Sequence, residues 1–142
     1  MSIQRPSKAY ASASILALCT GVVAFAIGLY NADMELNEKG YYVITLLYGL
    51  FSTVSLQKTV RDKEENIKTS SVYVTLSWVS TGCAIGLLIV GLINAELALS
   101  EKGFYAMAFV LSLFSAVTVQ KNVRDGEAKE ETSNESYEVS SQ

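Results

Sequence analysis

Two copies of one polar motif, Gln-Lys-x-x-Arg-Asp, combine the residue types best suited in this 142-residue sequence to bind a charged partner. The two copies consist of Gln57, Lys58, Arg61, Asp62, Gln120, Lys121, Arg124 and Asp125. Side chains four residues apart are neighbours on a helix, so we expect Lys58 to pair with Asp62 and Gln57 with Arg61. Lys and Arg also favour a helix C-terminus beside anionic lipid. The motif predicts either an interfacial anchor, which explains Lys and Arg, or a docking surface for a lipid headgroup or a partner, which also explains Gln and Asp.

A second set of polar residues also occurs twice and could contact a ligand on the opposite side of the protein. It consists of Asn31, Glu38, Lys39, Asn94, Glu101 and Lys102. An Asn at a helix end can bond the backbone carbonyls that lack a partner there, and a Glu in a first turn faces the positive end of the helix dipole. We expect Asn37 and Ser100 to cap the helices that follow. The alternative interpretation is a ligand contact, made by the two Asn residues or by the two Glu-Lys pairs.

Enzymatic and metal chemistry find little support in the sequence. It contains no histidine, the commonest metal ligand and general base. Its two cysteines, Cys19 and Cys83, lie in apolar stretches, where a thiol is usually inert. No basic patch with interleaved aromatic residues indicates nucleic acid. We therefore predict a protein that is not an enzyme, with no cofactor, no metal site and no nucleic-acid partner.

Four uncharged stretches must position the two sets of polar residues. Half of the residues are hydrophobic and 18% are charged, below the roughly 25% of soluble domains. Each stretch is 18 to 27 residues long, and crossing a bilayer takes about 20 apolar residues. A soluble helix of that length would carry charges on its solvated face. The sequence predicts an all-α integral membrane protein with transmembrane helices over about 12–32, 40–57, 72–94 and 103–120.

The chain repeats itself at a constant offset of 63 residues. Between 28–62 and 91–125, 18 of 35 positions are identical without a gap. Each copy contains two predicted spans, so both enter the membrane in the same direction. The sequence therefore predicts two tandem helical hairpins, 12–62 and 72–125, as parallel repeats related by an axis along the membrane normal. Parallel repeats also occur in transporters.

Basic residues predict the orientation of the spans, because Lys and Arg are enriched in cytoplasmic segments. Nine of the eleven lie in the terminal segments and the middle loop, and two lie in the short hairpin turns. We therefore expect a cytoplasmic N-terminus (1–11), a cytoplasmic loop (63–71) and a cytoplasmic tail (126–142). The tail is rich in Glu, Ser and Thr, which predicts disorder. The first span is too long for a cleaved signal peptide.

Small residues at four-residue spacing predict where the helices meet, because lipid provides no hydrophobic drive for helix association. Four such sets occur: Ala17, Gly21, Ala24 and Gly28; Thr45, Gly49 and Thr53; Gly82 and Gly86; and Ala108, Ser112 and Ala116. We interpret all four as seams within one four-helix bundle, with a homodimer seam as the alternative.

The repeated segments resemble the YiaA/YiaB family of bacterial inner-membrane proteins. The resemblance rests on 36–42, 50–52 and 57–62, and on their counterparts 99–105 and 119–125, and it covers about 14–125. It implies a location in the bacterial inner membrane and a fold made of two-helix modules. It implies no particular activity, cofactor or catalytic residue.

Two functions remain open at this stage. The first is a non-enzymatic scaffold or accessory protein of the lipid bilayer, which binds a lipid, a membrane-protein partner or a second copy of itself through its cytoplasmic helix ends. The second is a small transporter or channel, based on the parallel repeat and on the polar residues near the outer face. No charged residue lies in the middle of a predicted span, which removes the usual evidence for an ion-coupled carrier.

Overall fold

The protein is described by a computed structural model that covers residues 7–141, without the side chains of residues 127–132. Its four helices are α1 (Lys8–Asn31), α2 (Leu36–Glu64), α3 (Ser71–Asn94) and α4 (Leu99–Ser140). All four are long and apolar enough to cross a membrane. The described residues form no strand. The predicted all-α fold with four membrane-crossing helices is confirmed.

The helix starts repeat at the same 63-residue offset. Ser7 and Ser70 cap α1 and α3, and each hydroxyl accepts a bond from the backbone N–H three residues later, at 3.1 and 3.2 Å. At the starts of α2 and α4, the carbonyls of Glu35 and Ala98 already accept the first helical bonds. The predicted capping by Asn37 and Ser100 is therefore wrong, because both residues lie inside the first turn.

The C-terminal segment also differs from its prediction. Disorder is expected over 126–142, but α4 continues without a break to Ser140. The residues that directly follow Gly126 include Glu, Ala and Lys, which are strong helix formers. They extend a helix that the membrane-crossing part has already nucleated, so they avoid the cost of starting a new one. Residues 1–6 of the predicted N-terminal segment and residue 142 of the predicted tail lie outside the described part of the chain.

The helices pair across the two repeat units. α1 packs along α4, α3 packs along α2, and α2 meets α4 in the centre, whereas the consecutive helices α1 and α2 touch only slightly. In the most apolar 18-residue stretch of each helix, 39% of the residues of α2 and α4 are buried inside the protein, against 22% of those of α1 and α3. The pseudo-twofold axis therefore runs between α2 and α4. The two hairpins interlock, and each supplies one central and one flanking helix.

Aromatic rings fill the centre of the bundle near the hairpin turns. Tyr42 of α2 stacks on Tyr105 of α4, with ring centroids 6.3 Å apart and an interplanar angle of 17°. Phe25 of α1 meets Tyr105 edge-on at 5.7 Å. Each of the three rings is at least 96% buried. The two tyrosines are repeat equivalents, so the same side chain meets its own copy at the pseudo-twofold axis.

Most of the predicted small-residue seams lie inside the bundle. Both central triplets are buried, namely Thr45, Gly49, Thr53, Ala108, Ser112 and Ala116. On α1, a Cβ added at Gly21 would lie 3.0 Å from the backbone nitrogen of Ser112, so the glycine lets the two helix backbones approach closely. The predictions for α1, α2 and α4 are confirmed by this packing.

The seam predicted for α3 is wrong. A Cβ added at Gly82 or Gly86 would meet no atom of the described protein within 4 Å. α3 instead packs through Ser77, Ala84 and Leu88, the repeat equivalents of the buried α1 residues Ser14, Gly21 and Phe25. Four-residue spacing identifies a stripe but not the side of the helix that faces the bundle, and here the glycine pair faces outward.

The two kinds of glycine predict opposite responses to the same substitution. Gly21→Leu forces a side chain against the backbone of α4, and we expect a loss of about 1–3 kcal/mol in unfolding free energy. Gly82→Leu adds a side chain to open space and should leave stability unchanged within about 0.5 kcal/mol. Thermal unfolding in detergent measures both variants. Equal destabilisation by Gly82→Leu would contradict the open space around Gly82.

Candidate functional sites at the two ends of the bundle

The polar residues of the sequence gather at opposite ends of the bundle. We call the end where α1 and α3 begin the terminal end, and the end with the two short turns the hairpin end. The terminal end holds an ion-pair cluster made of Lys58, Arg61, Asp62, Glu65, Lys121, Arg124 and Asp125. The hairpin end holds two open cavities.

The centre of the ion-pair cluster is an exchange of partners between the two copies of the motif. Arg61 of α2 donates to the carboxylate of Asp125 on α4, and Arg124 of α4 donates to Asp62 on α2 at 2.6 Å. The side chains of Asp62 and Asp125 are only 5% and 10% exposed. Charges this far from water are tolerated only when they are paired. The exchange therefore ties the two central helices together at the terminal end.

Pairing along each helix follows the predicted spacing only in part. Lys58 donates to Asp62 at 2.9 Å, as predicted, and Lys121 lies 3.6 Å from Asp125 in the same way. The predicted pair between Gln57 and Arg61 is wrong, because the Arg61 guanidinium is occupied by two carboxylates. A carboxylate is a stronger acceptor for guanidinium than a neutral amide is.

Glu65 completes the ion-pair cluster, although the sequence analysis did not identify it. Its two carboxylate oxygens accept from Arg61 Nε at 2.8 Å and from Arg124 Nη2 at 2.9 Å. These bonds hold the pKa of Glu65 below its ordinary value of 4.5, and the bond from Arg61 has the larger effect. The contribution of Glu65 to the stability of the folded protein is therefore fully present above pH 4.5 and is lost as the pH falls through the lowered pKa. Its repeat equivalent is Ala128, so comparison of the two copies could not find it, but its four-residue spacing from Arg61 could have.

The hairpin end contains two adjoining cavities related by the pseudo-twofold axis. The larger hairpin cavity has a volume of about 790 Å³, and the smaller hairpin cavity about 500 Å³. Asn94 and Glu38 line the larger one, and Asn31 and Glu101 line the smaller one. Each cavity thus combines an Asn from one unit with a Glu from the other, because α1 packs on α4 and α3 packs on α2.

The predicted outer-face residues are divided between structural contacts and the cavities. The side-chain amides of Asn31 and Asn94 donate to the carbonyls of Ile27 and Val90 at 2.9 and 2.8 Å, as the helix-end interpretation predicts. Lys39 donates to the carbonyl of Tyr30 at 3.2 Å and so ties α2 to the end of α1.

The two Glu-Lys pairs contribute only their Glu residues to the cavity walls. Glu38 and Glu101 line different cavities, and neither Lys39 nor Lys102 lines the described walls of either one. The residues that both cavities share are Asp33, Glu96 and Leu97. Asp33 and Glu96 are repeat equivalents. A search for identical residues in the two copies does not find them, because one is Asp and the other is Glu.

The acidic residues at the hairpin end are spread over the cavity walls. Among the described residues, no three His, Cys, Asp or Glu side chains converge in an arrangement that could hold a metal ion. The larger cavity nevertheless carries four carboxylates, from Asp33, Glu35, Glu38 and Glu96. Such a wall favours positive charge in a ligand without fixing a metal.

Comparison with known proteins agrees with the two-unit architecture. The yiaA/B two helix domain family matches residues 10–62 and again 73–125. The chain is 56% identical over 119 residues to the inner membrane protein YiaA of Escherichia coli (strain K12), which covers 84% of this chain and 82% of that protein. It is 39% identical over 64 residues to the uncharacterized membrane protein YubF of Bacillus subtilis (strain 168), covering 44% of this chain and 74% of that protein. No solved structure matches the chain.

The partner exchange predicts strong coupling between Arg124 and Asp62. Arg124→Gln leaves a buried carboxylate with Lys58 as its remaining cation, and we expect a loss of about 1–3 kcal/mol in unfolding free energy. Adding Asp62→Asn should restore part of that loss, with a coupling energy of about 0.5–3 kcal/mol. Unfolding of the two single variants and the double variant in detergent gives this coupling energy directly.

Lys63→Gln is the matched control, because Lys63 is an exposed basic residue in the same turn of α2 as Asp62. It should change stability by no more than about 0.5 kcal/mol. Additive effects of Arg124→Gln and Asp62→Asn would show that the two side chains do not interact in the folded protein.

Proposed function

The chain belongs to the yiaA/B two-helix-domain family of membrane proteins, and we propose that it is a non-enzymatic membrane scaffold that docks anionic lipid headgroups at its terminal end. The observation that carries this proposal is a pair of lysines above the ion-pair cluster. Lys58 and Lys121 are repeat equivalents, and the side chain of each is 51% exposed. All other basic side chains of the two motifs are turned into the protein.

The ion-pair cluster explains why the lysines are available. Asp62 and Asp125 already have an arginine partner from the opposite helix, so neither depends on its lysine alone. The cluster contains four cations and three carboxylates, and this leaves an excess of positive charge at its exposed side. Because the arginine exchange fixes α2 against α4, the two ammonium groups are presented on a stiff platform. A rigid site loses less entropy when a headgroup binds.

The depth of the lysines suits a lipid headgroup. Lys58 lies over the ring of Tyr73 near the start of α3, with its Nζ 5.8 Å from the ring centroid. Tyr and Lys at helix ends are typical of the zone where headgroups meet water. The excess of basic residues at this end supports a cytoplasmic position for it, with both termini inside. Anionic lipids of the inner leaflet attract such lysines by about 1 kcal/mol each.

The proposal predicts selective retention of anionic lipid. In native mass spectrometry of the full-length protein from mild detergent, phosphatidylglycerol should be retained in preference to phosphatidylcholine. Lys58→Gln with Lys121→Gln should weaken this retention by roughly thirtyfold, the equivalent of about 2 kcal/mol. Lys39→Gln with Lys102→Gln removes the same charge from the hairpin end and should have no effect.

Retention that is unchanged by Lys58→Gln with Lys121→Gln would contradict docking through these lysines. A stoichiometric protein that co-purifies with the wild-type chain, and is lost in the same double variant, would replace the lipid by a protein partner at the same surface.

A small transporter is the second candidate function, and the two hairpin cavities favour it. They place Glu38 and Glu101 in solvent-accessible space between parallel repeats, an arrangement that some transporters also use. If this function holds, proteoliposomes should take up a cationic substrate. The double variant Glu38→Gln with Glu101→Gln should reduce uptake to the level of empty liposomes, because the charge that selects the substrate is gone. Wild-type uptake equal to that of empty liposomes, over a broad panel of cations, would exclude this function.

A further inference from the structure

Tyr42 and Tyr105 are buried, yet their hydroxyl groups are unused by the protein. Each residue is 4% exposed. In the part of the chain that the structure describes, neither hydroxyl has a hydrogen-bond partner, whereas the neighbouring Tyr41 hydroxyl donates to the carbonyl of Leu87 at 2.6 Å. Neither oxygen is among the enclosed polar atoms that lack a partner, so both hydroxyls reach accessible space, where they are free to bond a ligand.

Each of these tyrosines lines one of the hairpin cavities. Tyr42 lines the larger cavity and Tyr105 lines the smaller one. A Cβ added at Gly91 would lie 3.2 Å from the Tyr42 hydroxyl oxygen, and one added at Gly28 would lie 3.0 Å from the Tyr105 ring. The two glycines are repeat equivalents that also line the cavities. They therefore keep space open at the polar end of each ring.

The charged residues in the walls of the two cavities are all acidic. Asp33, Glu35, Glu38 and Glu96 line the larger cavity, and Asp33, Glu96 and Glu101 line the smaller one, with no Lys or Arg among the residues that form either wall. Because Asp33 and Glu96 belong to both walls, the cavities adjoin across the pseudo-twofold axis. One elongated ligand can therefore contact carboxylates in both.

The geometry points to an organic ligand and not to a metal ion. The carboxylates of the described residues do not converge as metal ligands must. Volumes of about 790 and 500 Å³ lie in the range that small organic molecules occupy. The acceptors are also suited to N–H donors. They comprise the carboxylates, the two tyrosine hydroxyls and the side-chain oxygens of Asn31 and Asn94, whose amide nitrogens are occupied by helix carbonyls.

We propose that the two hairpin cavities together form a binding site for an organic ammonium ligand with two or more positive charges. The carboxylates bind its ammonium groups, and the hydroxyls of Tyr42 and Tyr105 accept N–H bonds at the floor of each cavity. This site lies at the opposite end of the bundle from the proposed lipid-docking lysines and does not depend on them.

Isothermal titration of the full-length protein with spermidine, a linear polyamine, tests the proposal. The protein is held in phosphatidylcholine nanodiscs at 0.15 M salt, so that the lipid contributes no net charge and weak surface attraction is screened. We expect saturable binding of spermidine and at least tenfold weaker binding of Mg²⁺, which carries charge but no N–H donors. Absence of saturable spermidine binding, or equal binding of Mg²⁺, would overturn the proposal.

Substitution of the tyrosines separates the site from general attraction by the acids. Tyr42→Phe with Tyr105→Phe removes only the two hydroxyls and should weaken spermidine binding about tenfold. Tyr41→Phe is the matched control, because the Tyr41 hydroxyl is already bonded to Leu87, and it should leave the affinity unchanged. The double variant removes two hydroxyls that have no partner among the described residues, so its thermal stability should not fall. Unchanged affinity in the double variant would overturn the assignment of the tyrosines.

Two further variants test the acids and the independence of the site. Asp33→Asn with Glu96→Gln removes the carboxylates common to both cavities and should weaken binding more than Glu35→Gln, whose carboxylate lies in the larger cavity only. A larger loss of affinity in Glu35→Gln than in Asp33→Asn with Glu96→Gln would contradict a ligand that spans the pseudo-twofold axis. Lys58→Gln with Lys121→Gln should leave spermidine binding unchanged, so failure of lipid docking and failure of this site are distinguishable.

Discussion

The close approach of each flanking helix to the central helix of the other unit determines how the rest of the protein is arranged. On α1, a Cβ added at Gly21 would lie 3.0 Å from the backbone nitrogen of Ser112 on α4, too close for any larger residue without a shift. Lipid offers no hydrophobic drive for such contacts, so the helices depend on van der Waals packing at small residues and on polar contacts between helices. Once α1 lies on α4 and α3 lies on α2, the loops and helix ends of the two units must also meet across units. The arginine exchange and the mixed walls of the two cavities are consequences of this pairing.

The central seam is polar as well as small, and polar groups inside a membrane protein are normally satisfied within the protein. Thr45, Thr53 and Ser112 donate to carbonyls of the preceding turn of their own helices, at 2.7 to 2.9 Å. These hydroxyls therefore allow close packing without needing a partner on the facing helix. Interhelical polar bonding is instead concentrated at the terminal end, where water and headgroups lower the cost of charge. Packing holds the middle of the bundle, and ion pairs fix the register of α2 against α4 at one end.

Local signals in the sequence predicted the four helices, the repeat and the along-helix pair of Lys58 with Asp62, because charge gaps and fixed spacings act within one segment. The pairing of helices could not be predicted in this way. Since the two units are alike, packing α1 on α2 and packing α1 on α4 would bring together nearly the same residue types. The outward position of Gly82 and Gly86 has the same origin, because spacing carries no information about the neighbouring helix. Comparison of the two copies finds only identical residues. It therefore could not identify Glu65, Asp33 or Glu96, whose roles depend on where the folded protein places them.

The two copies differ where a residue is not used in a reciprocal contact. Arg61 with Asp125 and Arg124 with Asp62 form the same contact twice, so a change in either copy of the motif would leave a buried charge without its partner. Tyr42 and Tyr105 are constrained in the same way, because each stacks on the other. Outside these contacts the copies diverge: Glu65 corresponds to Ala128, and Glu35 to Ala98. The second difference gives the larger cavity a carboxylate for which the smaller cavity has only a methyl group. Reciprocal packing therefore keeps the residues of these contacts alike in both repeats, while the walls of the two cavities are free to differ.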